Sequence, residues 1–151
     1  MKRRIAAALA IGAVAATLVA APAEAANPTL HFSYALPNSP GTPDSGSNTS
    51  LNSEWVRIKN SSSTHTYTLS GWTVRDKSGH SYKFGTYALH PGESVTIHTG
   101  KGTNTHTNRY WGLTWYVWNN GGDTAYLRNT SGTTKDYCSW GSKGDSVKVT
   151  C

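Results

Sequence analysis

The folds open to this chain are limited above all by short runs in which apolar and polar residues alternate. In residues 54–59, Val56 and Ile58 alternate with Arg57 and Lys59. Similar runs cover residues 80–84, 94–98 and 124–128. Turn-forming residues separate these runs, and almost nothing in the chain is helical. The pattern predicts an all-β sandwich or barrel of antiparallel strands, because no helix is available to cross between parallel neighbours.

The N-terminus has the layout of a secretory signal peptide. A basic cluster at residues 2–4 precedes an apolar run at residues 5–20, and Ala23-Glu24-Ala25 matches a cleavage pattern. We therefore expect residues 1–25 to be removed and the mature protein to be secreted and extracellular. A retained N-terminal anchor is the alternative. No later segment is apolar enough to span a membrane.

Residues 26–151 are long enough for one domain with one core. The full chain has 14 basic and 8 acidic side chains, and losing the leader would leave a net charge of +4. The remaining basic residues are scattered, so an acidic partner such as nucleic acid is only weakly favoured. Residues 37–50 are almost entirely Pro, Gly, Ser, Asn, Thr and Asp, which predicts a long polar loop.

Two cysteines, Cys138 and Cys151, lie near the C-terminus. In an oxidising compartment such a pair predicts a disulfide. A turn-forming stretch at residues 141–144 separates two possible strands, so we expect a terminal hairpin with the sulfurs on opposing strands. The bridge would contribute roughly 3 kcal/mol in the chain-entropy model. A reactive or metal-binding thiol pair is the alternative.

Five blocks of sequence together resemble the lamin tail domain. They run in family order over most of the chain: Glu54–Asn60, Leu69–Asp76, Ser78–Phe84, Leu89–Gly100 and Val117–Leu127. The resemblance implies an immunoglobulin-like antiparallel sandwich without an established active site. The leader and the lack of a coiled-coil rod make the chain similar to stand-alone exported bacterial members of that family.

The search for catalytic or metal-binding residues yields no candidates, and no cofactor is expected. The six histidines show neither helical metal-binding spacing nor a nearby pairing with a carboxylate. The acids outside the leader lie mostly at turns, where such residues usually bond to local backbone. They are Asp44, Glu54, Asp76, Glu93, Asp123, Asp136 and Asp145. Two of them assembled in a cleft would instead indicate a secreted hydrolase.

An aromatic run is the candidate ligand-binding region. Its residues are Arg109, Tyr110, Trp111, Trp115, Tyr116 and Trp118. If the run is a strand, Trp111 and Trp115 share one face, while Tyr110, Tyr116 and Trp118 share the other. Both faces cannot be buried in a two-layer sandwich, so some rings would be free to stack on sugars or bases. Alternatively, the rings pack beneath the loops at residues 37–50 or 100–108.

These observations favour a secreted, non-catalytic interaction or scaffold module with an unknown extracellular partner. That partner is a protein, a polysaccharide or a nucleic acid, and the sequence does not indicate the oligomeric state. DNA is a candidate partner only by analogy with lamin tails. The analogy is limited, because fold alone does not establish function. A secreted hydrolase is the alternative from a different class.

Overall fold

The alternating runs form the strands of two facing β-sheets in the computed structural model, which describes residues 28–39, 45–144 and 146–151. Eleven strands and one short helix occur in the described residues. In chain order they are β1 (Leu30–Leu36), α1 (Asn48–Ser53), β2 (Trp55–Asn60), β3 (Tyr67–Thr68), β4 (Thr73–Arg75), β5 (Ser81–Lys83), β6 (Ala88–Leu89), β7 (Ser94–His98), β8 (Asn108–Tyr110), β9 (Gly122–Arg128), β10 (Thr134–Gly141) and β11 (Val149–Thr150).

The strands form a five-stranded sheet in the order β11-β1-β2-β7-β8 and a four-stranded sheet in the order β10-β9-β4-β5. A two-stranded ribbon, β3-β6, completes the described sheets. The predicted all-β, immunoglobulin-like sandwich is therefore confirmed.

Alternation along the strands builds the core between the sheets. Val56 and Ile58 of β2 pair with Ile97 and Val95 of β7, and all four are buried. The four-stranded sheet contributes buried residues from its own inner face, among them Val74, Ala125, Leu127 and Trp140. Burial of this apolar surface is the main favourable contribution to folding. Arg57 and Lys59 alternate onto the opposite face of β2, as predicted.

The disulfide between Cys138 and Cys151 is confirmed, but the strands that it joins are not a hairpin. β10 pairs with β9 in the four-stranded sheet, whereas β11 pairs with β1 in the five-stranded sheet. The segment after β10 therefore crosses to the other sheet. The bridge joins the two layers of the sandwich, with 5.3 Å between the two Cα atoms. The prediction of a hairpin is wrong because β11 pairs with the free edge of β1 and not with β10.

One strand pair is parallel, contrary to the expectation of antiparallel neighbours only. β8 runs parallel to β7, with Ile97 opposite Arg109. The connecting loop is held in place by helix α1, whose Asn48 and Asn52 side-chain amides both donate to the Lys101 carbonyl at 2.9 Å. An exposed loop pinned in this way replaces the helical crossover that parallel strands usually need.

Helix α1 begins within the segment expected to be a polar loop. Ser47 caps it, with its hydroxyl oxygen accepting from the Ser50 backbone N–H at 3.2 Å. Ser39 and Ser50 are buried and bond to each other at 2.9 Å, so parts of this polar segment pack against the domain.

The predicted signal peptide, residues 1–25, lies outside the described residues. Within residues 28–39, 45–144 and 146–151, no helix has the length and apolar character needed to cross a membrane.

Candidate functional site

The aromatic run is not a continuous strand, and its side chains divide among three environments. β8 ends at Tyr110, and the residues from Trp111 to Gly121 form an irregular loop, which we call the aromatic loop. Strict alternation therefore fails after Tyr110. Val117 and Trp118, which would lie on opposite faces of a strand, are both buried.

Trp118 and Trp111 belong to the core. Trp118 is only 2% exposed and packs edge-to-face against Trp140, with 5.6 Å between ring centroids. Trp111 is partly buried and packs edge-to-face against Trp118 and Tyr82. Such contacts stabilise the core beyond area burial alone. These two rings pack with the core, although part of Trp111 stays exposed.

Tyr110 and Arg109 lie on opposite sides of β8. The Tyr110 ring stacks on His98 with 5.0 Å between centroids, and the backbone of Gly102 lies close against the same ring. Arg109 points the other way and places its guanidinium 4.4 Å from the centre of the Tyr87 ring. Burial raises the pKa of Tyr87 to about 12, against the opposing effect of the Arg109 charge. Arg109 is therefore not part of one surface with the aromatic loop.

Trp115 is the exposed member of the run. Its side chain is 67% exposed, although one edge of the ring lies against Gly46. The neighbouring Tyr116 is anchored, because its hydroxyl bonds to the Ser50 hydroxyl at 2.6 Å and accepts from the Gly46 N–H at 3.1 Å. The aromatic loop thus presents one tryptophan on a base that helix α1 and the preceding segment hold in place.

Glu54 is a positioning residue that the sequence reasoning missed. It is completely buried, and its carboxylate accepts from the backbone N–H groups of Val117, at 3.1 Å, and Trp118. The carboxylate satisfies two backbone donors of the aromatic loop that would otherwise be buried without partners. The available signal was an acid at the first position of the run 54–59, whose later residues alternate between apolar and basic.

Two shallow hollows flank Trp115, each with a volume of about 230 Å³. Asn48, Lys101 and Thr114 line one of them, beside Gly46 and the apolar Leu51 and Leu113. Asn119 and Asn120 line the other, next to Trp115 and Tyr116. The surroundings of the exposed indole are therefore rich in amide and hydroxyl groups.

The basic residues are scattered in sequence, but the sheet register brings several of them together. On the outer face of the five-stranded sheet, Arg57 lies 5.0 Å from the Trp55 ring and Lys148 lies 4.2 Å from the Tyr34 ring. Tyr34 and Arg57 are direct partners across β1 and β2. None of the five strands contains Asp or Glu. We call this surface, formed by Tyr34, Trp55, Arg57, Lys59 and Lys148, the basic face.

Every carboxylate in the described residues accepts a hydrogen bond from backbone N–H. Asp76 accepts from Gly79 and His80, and Asp123 accepts from Lys77, Asn119 and Thr124. Glu54, Glu93 and Asp136 do the same. A cleft of about 370 Å³ is lined by one acidic side chain, that of Asp136. Glycoside hydrolysis generally needs a pair, so the described acids give no support to the hydrolase alternative.

Two histidines do have carboxylate partners, contrary to the sequence reading. His80 Nδ1 lies 2.6 Å from Asp76 Oδ2, and His106 Nε2 lies 2.7 Å from Glu93 Oε2. The hydrogen bond from His106 lowers the pKa of Glu93. Neither pair is joined by a further ligand, because the described residues contain no group of three His, Cys, Asp or Glu side chains suited to a metal ion.

Two facing sheets joined by a disulfide, with an exposed tryptophan on an anchored loop, form an immunoglobulin-like sandwich. The family model described as Lamin Tail Domain matches residues 23–142. The chain therefore belongs to the lamin tail domain family, as the sequence resemblance indicated. Members are generally non-catalytic immunoglobulin-like modules. A comparison with curated proteins gives no match.

Proposed function

We propose that this lamin tail domain protein is an exported, non-catalytic binding module and that its ligand is an extracellular polysaccharide. The exposure of Trp115 carries the proposal, because an indole that is 67% exposed on an anchored loop presents a ring face on which the apolar side of a ligand can stack. The export part rests on the N-terminal sequence, and N-terminal sequencing of the secreted protein tests it, with Ala26 expected as the first residue.

The anchoring of the aromatic loop favours recognition of a ligand without large rearrangement. Glu54 fixes the backbone after Trp115, and the Tyr116 hydroxyl ties the loop to Ser50 and Gly46. A pre-organised loop loses little conformational entropy when a ligand binds. The Trp115 ring thus offers a rigid apolar platform.

The chemistry around Trp115 suits a sugar. The apolar face of a pyranose ring packs on an indole, while its hydroxyls need donors and acceptors around the rim. Amide and hydroxyl groups of Asn48, Thr114, Asn119 and Asn120 line the two flanking hollows. Lys101 adds one positive charge at the edge, which favours polysaccharides that carry some acidic groups.

Tryptophan fluorescence of the oxidised protein, titrated with soluble cell-wall polysaccharide, tests the proposal. We expect a saturable change in the wild-type protein that is lost in Trp115→Ala and that decreases only slightly with salt, since Lys101 is the one charge involved. Trp55→Ala is the control, because Trp55 is a partly exposed tryptophan that lies on the basic face. A saturable response that survives in Trp115→Ala and disappears in Trp55→Ala would refute the assignment to Trp115.

The basic face supports a second candidate function, the binding of single-stranded nucleic acid. It combines aromatic rings with three cations, on strands that contain no acid. Stacking on aromatics together with phosphate contacts is how such surfaces bind single strands. The same titration with short DNA distinguishes the two candidates: this response would fall steeply with salt, weaken in Arg57→Gln and be unchanged in Trp115→Ala.

A further inference from the structure

A second cleft lies on the other side of β8 from the basic face, beside the β3-β6 ribbon. Its volume is about 330 Å³. Its polar lining consists of Thr68, Ser70, Thr86, His90, His106 and Arg109. Hydroxyl, imidazole and guanidinium groups are the donors that proteins use to bind oxyanions. Neither the aromatic loop nor the basic face extends into this cleft.

Arg109 is the strongest donor in the cleft and is held in a fixed orientation. Its guanidinium stacks 4.4 Å from the Tyr87 ring centre. The Nε atom is buried and has no hydrogen-bond partner in the described residues. The two ion pairs of the described residues both involve histidine, and no carboxylate among them pairs with Arg109. Because the Nε atom is enclosed by protein, the terminal Nη groups of this planar cation are the donors suited to bidentate recognition of a carboxylate or phosphate.

The two histidines lie side by side at the cleft, with 5.9 Å between ring centroids. Glu93 accepts from His106 Nε2 and from the His90 N–H, and so fixes the position of both residues. His90 Nδ1 bonds to the Thr66 hydroxyl at 3.2 Å. The Glu93 carboxylate opposes part of the positive charge, but it is occupied by these donors and is not among the residues that line the cleft.

We propose that this cleft is a binding site for a small oxyanion group, a phosphate monoester or a sugar carboxylate, with Arg109 as its principal ligand. The guanidinium disfavours metal cations, and the ring of hydroxyls disfavours an apolar occupant. Thr68, Ser70 and Thr86 supply neutral donors around the charge that Arg109 provides. The site is independent of the proposed polysaccharide platform, which lies on a different surface.

The Nε–H signal of Arg109 in ¹H–¹⁵N NMR spectra of the wild-type protein tests the proposal directly. Inorganic phosphate and glucuronate are titrated separately at constant ionic strength. Arg75 and Arg128 are internal controls, because their Nε atoms are also buried without partners but neither lines the cleft. We expect a saturable shift of the Arg109 signal alone, and about tenfold weaker binding of the same anion to Arg109→Gln.

The two probes separate the possible sources of the anion. Saturation by phosphate alone assigns the cleft to phosphate esters, and saturation by glucuronate alone assigns it to acidic sugars; either result supports the site. Equal shifts at Arg75, Arg109 and Arg128, or no saturable shift with either probe, would overturn it. These results do not depend on whether Trp115→Ala loses its polysaccharide response, so the two proposals fail separately.

Discussion

At the scale of single residues, the acids in this domain serve the backbone. Glu54, Asp76 and Asp123 are buried and accept two or more N–H bonds each. Sequence reasoning correctly expected acids at turns to bond to nearby backbone, as Asp76 does. It could not anticipate that Glu54 and Asp136 bond to segments 63 and 104 positions away. Contacts over such distances depend on how the sheets stack.

Asp136 gives the domain a predictable pH dependence. Its carboxylate accepts from the Phe32 N–H at 2.6 Å, yet its partial burial raises its pKa. The folded chain therefore holds this proton to a higher pH than the unfolded chain. The stabilising contribution is full below the unfolded pKa of about 3.9 and is lost as pH rises through the folded pKa.

Comparison of the wild-type protein with Asp136→Asn isolates this effect, because the other titrating groups are common to both. We expect the unfolding free energy of the wild type, minus that of the variant, to decrease between pH 3.5 and pH 7. Urea denaturation at each pH measures the difference. A difference that is constant over this range, or that increases with pH, would contradict the assignment to Asp136.

At the scale of elements, local alternation predicted the strands well and the aromatic loop poorly. β2 and β7 alternate apolar with polar residues because one face of each lies on the core, although the outer-face Thr96 of β7 is buried as well. The sequence of the aromatic run was also interpreted as an alternating strand. Beyond Tyr110, however, separate anchors position its bulky rings, and no strand ladder does so. Helix α1 was missed because five of its six residues are polar and its stability comes from the Ser47 cap, the buried Leu51 and contacts with the Lys101 loop.

The aromatic loop should depend on the buried Glu54 carboxylate. Glu54→Gln keeps the size of the side chain but removes the charge and leaves a single neutral amide oxygen to accept from the Val117 and Trp118 N–H groups. We expect a loss of about 1.5–3 kcal/mol in unfolding free energy, with a changed near-UV circular dichroism signal from Trp118. Glu93→Gln is the matched control at an exposed carboxylate, and its loss should be smaller. Equal losses would show that burial of Glu54 contributes nothing.

At the scale of the whole molecule, the sequence sufficed to predict the sandwich, the disulfide and the family, but not how distant strands pair. Cys138 and Cys151 are close in sequence, so a hairpin was the simplest interpretation. The free edge of β1 instead recruits β11, and an edge of that kind is visible only once the sheets are assembled. Basic residues that are scattered along the chain converge on the basic face for the same reason.

The inter-sheet disulfide should contribute substantially to stability. It closes a loop with a sequence separation of 13 and ties the short strand β11 to the other layer. We expect the double variant Cys138→Ser, Cys151→Ser to lose about 2–4 kcal/mol in urea denaturation. Reduction of the wild type should produce a similar loss, and the double variant should not respond to the reductant. An unchanged midpoint after complete reduction would contradict this prediction.

The same bridge also determines how the domain would respond to mechanical load. Cys151 lies beside Ser33 at the end of β11, and its covalent link leads to β10 in the opposite sheet. Tension applied between β1 and Cys151 would bypass β11 and load the long β9-β10 ladder. In a single-molecule pulling trace, the bridge would hide about 45 Å of contour length, at roughly 3.5 Å per residue. Reduction would release that length, so redox conditions would set the contour length of the fully extended domain.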